Sequence, residues 1–251
     1  MPPTPVVSYP TALTARPLVL PANGLEGGVR LLTTRYESGD DRFMFHNLEA
    51  RGRGALGTTE VEAALVMFVY QQFPESFGDV PDPDRLQSIF LAARHGLDPD
   101  QTVGLELDVA GLTSEFTTVR GLAVYHRKAH LSPRAAIDSA VGLGYQRSSS
   151  SQTVPSQTWS YVVVETRHRI QAQLTPTVAL EGRAALRFLR DNGSPSEMTF
   201  TTGSAIGFDV GVGVTAAVAP TIDVIAAFDV LDGGDLGAKL FTIGVMTRRV
   251  P

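Results

Sequence analysis

An alternation of apolar with small or polar residues occupies residues 198–230 and is interrupted by a turn at 219–221. In its first half every second residue is apolar or small: Met198, Phe200, Ile206, Phe208, Val210, Val212, Val214, Ala216 and Val218. A repeat of two residues indicates a β-strand, whereas a helix repeats about every 3.6 residues. The first half extends over about twenty positions, far beyond the roughly five or six residues of a typical soluble strand.

The length and chemistry of this stretch predict a strand that crosses a lipid bilayer. A tilted transmembrane strand needs about 9–11 residues, with apolar side chains toward lipid and small or polar ones toward the interior. The sequence has no run of about eighteen apolar residues, so we expect no transmembrane helix. The mean hydropathy of +0.04 agrees with a barrel, since only alternate residues of its strands meet lipid.

Composition excludes several classes of protein. The formal net charge of -5 excludes a general nucleic-acid-binding protein. A barrel that crosses a bilayer instead implies membrane lipids, together with small solutes or ions, as the partners. The absence of cysteine excludes a disulfide scaffold, a thiolate metal site and a cysteine nucleophile. The 5 histidines show no metal-ligand spacing, and we expect no metal and no cofactor.

Two regions are predicted along the chain. Residues 1–22 are rich in proline and predict an extended lead-in, which is either a periplasmic tail or a partial plug that enters through residues 17–21. Residues 23–251 predict an all-β fold, a transmembrane antiparallel up-and-down (meander) β-barrel of about 12 strands. In its first part we expect a short strand at 43–49, followed by a turn at 51–54.

The connections between the predicted strands fall into two alternating sets. One set is short and mostly carries proline, at Pro99, Pro133, Pro176 and Pro220, while the other is mostly longer and contains Gly, Ser and Asp. Bacterial barrels have short periplasmic turns and longer extracellular loops. We therefore expect both chain ends on the periplasmic side.

A unit of a turn followed by a strand recurs, as in Leu-Thr-Pro-Thr-Val-Ala-Leu-Glu-Gly at 174–182, and Arg-Pro-Leu-Val-Leu-Pro at 16–21 precedes the first strand. On these motifs nearly the whole chain resembles the bacterial outer-membrane β-barrel proteins of the porin or transporter type. The resemblance implies fold and outer-membrane location rather than a specific activity. An exported protein needs a signal peptide, which residues 1–5 do not resemble, so we expect this sequence to follow a cleaved signal with an added initiator Met. It ends in Val250-Pro251 rather than in the aromatic residue common in such barrels, which implies a trimmed or non-standard end.

Charged residues on the inward side of the predicted strands are candidates to line the lumen, the space that the barrel encloses. They are Glu106, Asp108, Asp138, Glu165, Arg167, Arg169, Glu181, Arg183, Arg187, Asp209, Asp223 and Asp229. The arginines predict either a basic constriction that favours anions or a solvated wall stiffened by ion pairs. The aspartates and Glu106 form an acidic wall, and the two walls either create a transverse field or pair across a closed lumen.

Two registers are open for the strands that flank the turn at 175–177. One sets Arg169 opposite Glu181, and the adjacent one sets Glu165 opposite Arg187, so each gives a cross-strand ion pair. Aromatic residues near the long-loop ends predict a partial girdle, although three of them have inward parity: Tyr36, Tyr70 and Trp159.

The leading functional hypothesis is a passive or facilitated outer-membrane channel for small solutes or ions. The inward row at Gly203, Ala205, Gly207, Gly211 and Gly213 predicts unfilled volume along the longest strand. A non-conducting structural or adhesive barrel is the alternative. A lipase-type or protease-type enzyme is the third hypothesis, but the sequence has no nucleophile elbow and no Gly-rich phosphate loop, so we expect no catalytic residues.

Overall fold

The computed structural model describes residues 10–38, 41–74, 85–112, 116–150, 157–191, 204–231 and 238–249. Their regular structure is one short 3-10 turn, Leu13–Ala15, and twelve strands. The strands are β1 (Leu25–Ser38), β2 (Asp41–Leu56), β3 (Thr59–Gln72), β4 (Leu86–Asp98), β5 (Gln101–Ala110), β6 (Phe116–Ser132), β7 (Ala135–Ser150), β8 (Gln157–Thr175), β9 (Val178–Asp191), β10 (Ser204–Ala219), β11 (Ile222–Leu231) and β12 (Ala238–Arg249). No helix among these residues is long and apolar enough to cross a membrane.

The strands form one closed barrel in which each strand pairs antiparallel with the next in sequence. The ring closes between β1 and β12, where Leu25 lies opposite Arg249 and Tyr36 lies opposite Ala238. The predicted all-β meander of about 12 strands is therefore confirmed. Closure matters because an open sheet would leave two edges with unpaired backbone groups.

The stretch with the longest alternation forms β10 and β11. Val210 lies opposite Val230, and Val212 lies opposite Phe228, so the apolar residues of both strands share one face. Residues 198–203, the start of the alternating stretch, lie outside the described residues.

Two-residue turns lie together at one rim of the barrel, at 57–58, 99–100, 133–134, 176–177 and 220–221. Proline begins each of them except the first, in which Gly57 adopts a φ of 63° that glycine tolerates best. We call this the short-turn rim and the opposite one the long-loop rim. β1 begins at the short-turn rim, because Leu25 lies opposite Gly54 beside the turn at 57–58, and β12 ends there too, because Arg249 lies opposite Leu25.

The turn predicted at residues 51–54 is wrong. β2 continues through them to the turn at 57–58, so it has 16 residues instead of forming a short strand. Arg51 and Arg53 face inward, and Arg53 Nε lies 3.0 Å from Glu26 Oε1 on β1. Arg51 also contacts Glu62 on β3. These two ion pairs on the inner face stabilise residues 51–54, whose alternating glycines have a weak preference for strands.

The outer face of the barrel is an apolar surface. Among its outward side chains Leu105 is 66% exposed, Val212 61% and Ile243 64%. The residues that alternate with them point inward and are largely buried, as Thr215 and Thr242 are. A large exposed apolar surface is rare on soluble monomers and suits contact with lipid chains.

A β-bulge at Val69 reverses the facing of the last part of β3. Tyr70 lies opposite His46 while Phe68 lies opposite Asn47, so Val69 is skipped by the ladder. Tyr70 consequently faces outward and its ring stacks on His46 with centroids 5.9 Å apart. The expectation that Tyr70 has inward parity is therefore wrong, because one extra residue exchanges the two faces of a strand.

We expect Val210→Arg to lower the free energy of unfolding in lipid by about 2–4 kcal/mol, because it places a charge at mid-strand on the apolar outer face. Leu56→Arg is the matched control, since Leu56 is exposed beside the short-turn rim, and it should cost about 0–1 kcal/mol. Denaturant unfolding in lipid vesicles measures both. Equal costs at the two positions would contradict the assignment of Val210 to the lipid-facing surface.

Candidate functional site

Charged side chains from many strands meet inside the barrel. Arg167 Nη2 on β8 lies 2.7 Å from Glu106 Oε2 on β5. Arg183 Nη2 on β9 lies 3.3 Å from Asp229 Oδ2 on β11. The strands of each pair are not neighbours in the ring, so these contacts reach over the inner face of the strands between them. The lumen therefore contains a network of ion pairs.

Glu165 on β8 joins three arginines of this network. Its Oε2 lies 2.7 Å from Arg120 Nη1 and 2.9 Å from Arg187 Nε, and its Oε1 lies 3.3 Å from Arg167 Nε. The structure has the predicted register in which Glu165 lies opposite Arg187. The side chain of Glu165 is only 4% exposed, so its charge is stabilised mainly by these guanidinium groups.

The carboxylate that pairs with Arg169 lies on β7, whereas one of the two predicted registers placed it on β9. In the observed register it lies opposite Arg183 on β9, and not opposite Glu181 as the other register required. Its guanidinium contacts Asp138 on β7. Lys128 Nζ lies 4.0 Å from the second oxygen of the same carboxylate, so Asp138 faces two cations.

Glu106 and Asp108 project from the same strand into different surroundings. Glu106 is buried, and besides Arg167 it has Arg94 Nη2 at 3.3 Å and His126 Nε2 at 3.5 Å. The side chain of Asp108 is 34% exposed and has Arg120 Nη2 at 3.1 Å. The negative charge of Glu106 thus depends more on its ion-pair partners than that of Asp108, which is partly solvated.

The remaining predicted acidic residues also have polar partners or line a cavity. Asp223 Oδ2 lies 2.6 Å from Arg16 Nη1, and Glu181 Oε1 accepts a hydrogen bond from the Thr215 hydroxyl at 3.2 Å. Asp209 lies on the wall of the cavity described below. Ion pairs therefore interleave the acidic and basic residues, so that they do not form two separate walls.

Sequence reasoning missed many members of the network. These are Glu26, Arg30, Glu49, Arg51, Arg53, Glu60, Glu62, Arg94, Arg120, Lys128 and Arg248. Several lie on β2, whose boundary was predicted too short. The alternation of Arg51 and Arg53 with glycine was a signal that could have placed them on an inward face.

The inward glycines of β10 make room for an ion pair. A Cβ atom at Gly211 would overlap Asp229 Oδ1, and one at Gly213 would lie 3.3 Å from Arg183 Nη2. The expectation of unfilled volume is thus wrong beside these two glycines, because Arg183 and Asp229 occupy it. Gly203 lies outside the described residues.

Cavities nevertheless remain between the charged side chains. One of about 400 Å³ is lined by arginines of β2, β8 and β9 together with Asp209 and Asp229. Another of about 260 Å³ is lined by arginines of β1, β2, β4 and β8 with Glu26 and Glu62. Leu18 lies on the wall of both, so the N-terminal segment reaches into the lumen.

Residues 10–22 cross the opening at the short-turn rim. The Leu13 N–H donates to Gln173 Oε1 on β8 at 3.0 Å, and the Leu20 N–H donates to Glu60 Oε2 on β3 at 2.9 Å. Because β3 and β8 lie on different sides of the ring, the segment runs from one wall to another. Leu13 and Leu20 are both buried, which stabilises this position.

Two basic side chains hold the middle of the segment. Arg16 forms its ion pair with Asp223 on β11, and Lys128 on β6 donates to the Arg16 carbonyl oxygen at 2.8 Å. Leu18 follows directly and faces the lumen cavities. The described part of the lead-in therefore narrows the short-turn opening, while residues 1–9 lie outside the described residues.

The histidines are dispersed over the barrel. His46 and His168 bond to hydroxyl groups on the outer face, His126 faces Glu106 in the lumen, and His95 and His130 lie near the short-turn rim. Within the described ranges no group of His, Cys, Asp and Glu side chains is arranged to hold a metal ion.

No family model matches the chain, and no curated protein matches its sequence. An outer-membrane channel from Pseudomonas putida F1 aligns with a TM-score of 0.65 and 12% identity, over 92% of this chain and 96% of that one. The translocator domain of the autotransporter NalP from Neisseria meningitidis aligns with a TM-score of 0.59 and 12% identity, over 92% and 89%. The KdgM porin in complex with disordered oligogalacturonate aligns with a TM-score of 0.51 and 6% identity, over 88% and 98%. The chain thus has the fold of bacterial outer-membrane β-barrels.

Glu106→Gln should lower the free energy of unfolding by about 3 kcal/mol, because it removes a buried carboxylate shared by Arg94 and Arg167. Asp108→Asn on the same strand is the matched control and should cost about 0–1 kcal/mol, since Asp108 is partly solvated. Denaturant unfolding of both variants in one detergent measures the difference. A cost for Asp108→Asn that equals or exceeds that for Glu106→Gln would contradict the importance of the buried pairs.

Proposed function

We propose that the protein is a bacterial outer-membrane channel that passes small solutes or ions, and that it has no enzymatic activity. The observation that carries this proposal is the cavity of about 400 Å³ among charged side chains in the lumen. An apolar outer face around a charged interior is the arrangement through which a barrel passes polar solutes. The likeness in fold to an outer-membrane channel supports the same location.

The arginines around this cavity favour anions as solutes. Arg51, Arg167, Arg169 and Arg183 all contribute to its wall. Rings of arginine select anions because they stabilise a negative charge that has left bulk water. Acidic residues on the same wall moderate the preference, so we propose a bias toward anions that still lets cations pass.

Residues 10–22 act in this proposal as a gate at the short-turn rim. Their contacts are individual hydrogen bonds and a largely buried ion pair, without the continuous strand pairing that fixes the wall, so the segment is able to leave without breaking the barrel. Movement of the segment would withdraw Leu18 from the lumen cavities and widen the path. The second candidate, a non-conducting structural barrel, is favoured by the same contacts if the segment stays in place.

A reversible disulfide tests the gate and the channel together. The chain has 0 cysteines, so Val19→Cys with Gly96→Cys introduces one pair of thiols. A Cβ atom at Gly96 would lie 3.7 Å from Val19 Cγ2, which is within reach of a disulfide. In planar bilayers we expect little conductance from the oxidised barrel and discrete, larger steps after reduction.

The two single-cysteine variants are the controls, and reductant should leave their conductance unchanged. A chain that lacks residues 1–22 should conduct like the reduced double variant. If neither the reduced double variant nor the shortened chain gives discrete steps, the channel proposal fails and the structural barrel replaces it.

Arg183→Glu should shift the reversal potential of the conducting barrel toward cations, because it reverses a charge on the cavity wall. Arg190→Glu is the matched control: it makes the same change of charge on β9, but Arg190 is on the exposed outer face. Reversal potentials in a salt gradient measure both. An equal shift for the two variants would show that the charge at Arg183 does not act on permeating ions.

A further inference from the structure

A third cavity, of different chemistry, lies beside β1, β2, β3 and β4, near the long-loop rim. It has a volume of about 490 Å³ and is lined by Thr34, Tyr36, Phe43, Phe45, Asn47, Phe68 and Gln87. Four of these residues are aromatic, four carry a hydroxyl or amide group (Tyr36 counts in both sets), and none is charged. Its lining therefore differs completely from that of the arginine-rich cavities deeper in the lumen.

The aromatic rings of this cavity brace one another. Phe45 meets the ring of Tyr36 edge to face at 5.8 Å and the ring of Phe73 edge to face at 5.7 Å. Phe73 in turn meets Phe43 at 5.6 Å. Edge-to-face pairs at these separations are favourable, so each of these four rings is held in place by a neighbour. The cavity wall is thus pre-organised for a ligand.

The β-bulge at Val69 helps to build this wall. By placing Val69 and Tyr70 on the outer face, it turns the following odd-numbered residues inward, and Phe73 joins the inner ring cluster. An uninterrupted alternation would have put Tyr70 inside and Phe73 outside. Bulges commonly re-aim side chains next to functional sites.

Polar groups at the cavity have capacity for a ligand. Within the described ranges, no hydrogen bond is made by the side chains of Thr34, Tyr36 and Asn47. The amide of Asn47 offers two donors and an acceptor, and each hydroxyl offers one donor and lone pairs. A site that combines an aromatic wall with a few convergent polar groups is the usual form of a small-molecule pocket, and its size is in the usual range.

We propose that this cavity binds a neutral small molecule that combines an aromatic ring with hydroxyl groups, such as an aryl glycoside. Its ring would pack against the phenylalanine cluster, while its hydroxyl groups would bond to Asn47 and Thr34. A charged ligand is disfavoured because the lining offers no opposite charge to offset its loss of hydration. The inference rests on the proposed function only in that the ligand enters from the lumen mouth, since binding itself needs no conduction.

Phenyl β-D-glucoside is the probe, with isothermal titration of the folded full-length chain in detergent as the measurement. We expect saturable binding of this neutral compound, and binding at least about tenfold weaker for phenyl phosphate and for phenyltrimethylammonium. These two ions carry the same phenyl ring as the glucoside, one with a negative charge and the other with a positive charge. Equal or tighter binding of either ion, or no saturable binding of the glucoside, would overturn the proposal.

Phe45→Ala should weaken binding at least about tenfold, because Phe45 contacts two other rings of the wall. Phe241→Ala is the matched control: it removes a ring that is 45% exposed on β12, and it should bind the glucoside normally. Asn47→Leu keeps the side-chain volume, so it tests the polar edge if Phe45→Ala does not fold. Unchanged binding in Asn47→Leu and in any folded Phe45→Ala would place the ligand elsewhere.

Binding and conductance separate this inference from the proposed function. If the barrel binds the glucoside but gives no discrete conductance after release of residues 10–22, the ligand-site proposal stands and the channel proposal fails. If the barrel conducts but does not bind the glucoside, the channel proposal stands and the ligand-site proposal fails.

Discussion

Pairing of β1 with β12 is the constraint on which the rest of the structure depends. It removes both edges of the sheet, so every strand has a neighbour on each side and the backbone polar groups are bonded within the wall. Only then can the outward side chains be apolar without exposing an unpaired backbone to lipid. The same closure places the alternate side chains in one enclosed space, where the acidic and basic groups form ion pairs with each other.

The charged lumen and the N-terminal segment form one connected structure. Glu60, whose side chain is fully buried, accepts the Leu20 N–H and lies 3.4 Å from both Arg53 and Arg94. Arg94 in turn contacts Glu106 across β4 and β5. A change in the charge of the lumen is therefore coupled to the residues that hold the segment at the rim.

Sequence alone predicted the barrel, its strand number and the short-turn rim, because period-two alternation and proline turns are local signals. It did not predict that β2 extends through Arg51 and Arg53. The glycines that follow these arginines resemble a turn in the sequence, and the cross-strand carboxylates that pair with the arginines are known only from the structure. The bulge at Val69 was equally hidden, since residues 63–70 form an uninterrupted apolar run that does not show which residues face inward. The partners of Arg183 and Glu106 depend on which strands face each other across the lumen, and that follows from the three-dimensional curvature of the closed sheet.

The hydrogen bonds that hold residues 10–22 involve mostly the main chain of the segment. The N–H groups of Leu13, Leu18 and Leu20 are donors, and the carbonyl oxygens of Leu13 and Arg16 are acceptors. Apart from the Arg16 guanidinium and the Thr11 hydroxyl, the side chains in these bonds belong to the barrel wall. The rim is therefore a receptor chiefly for a peptide backbone, so substitutions in the segment that keep Arg16 and the buried leucines should leave most of these bonds in place.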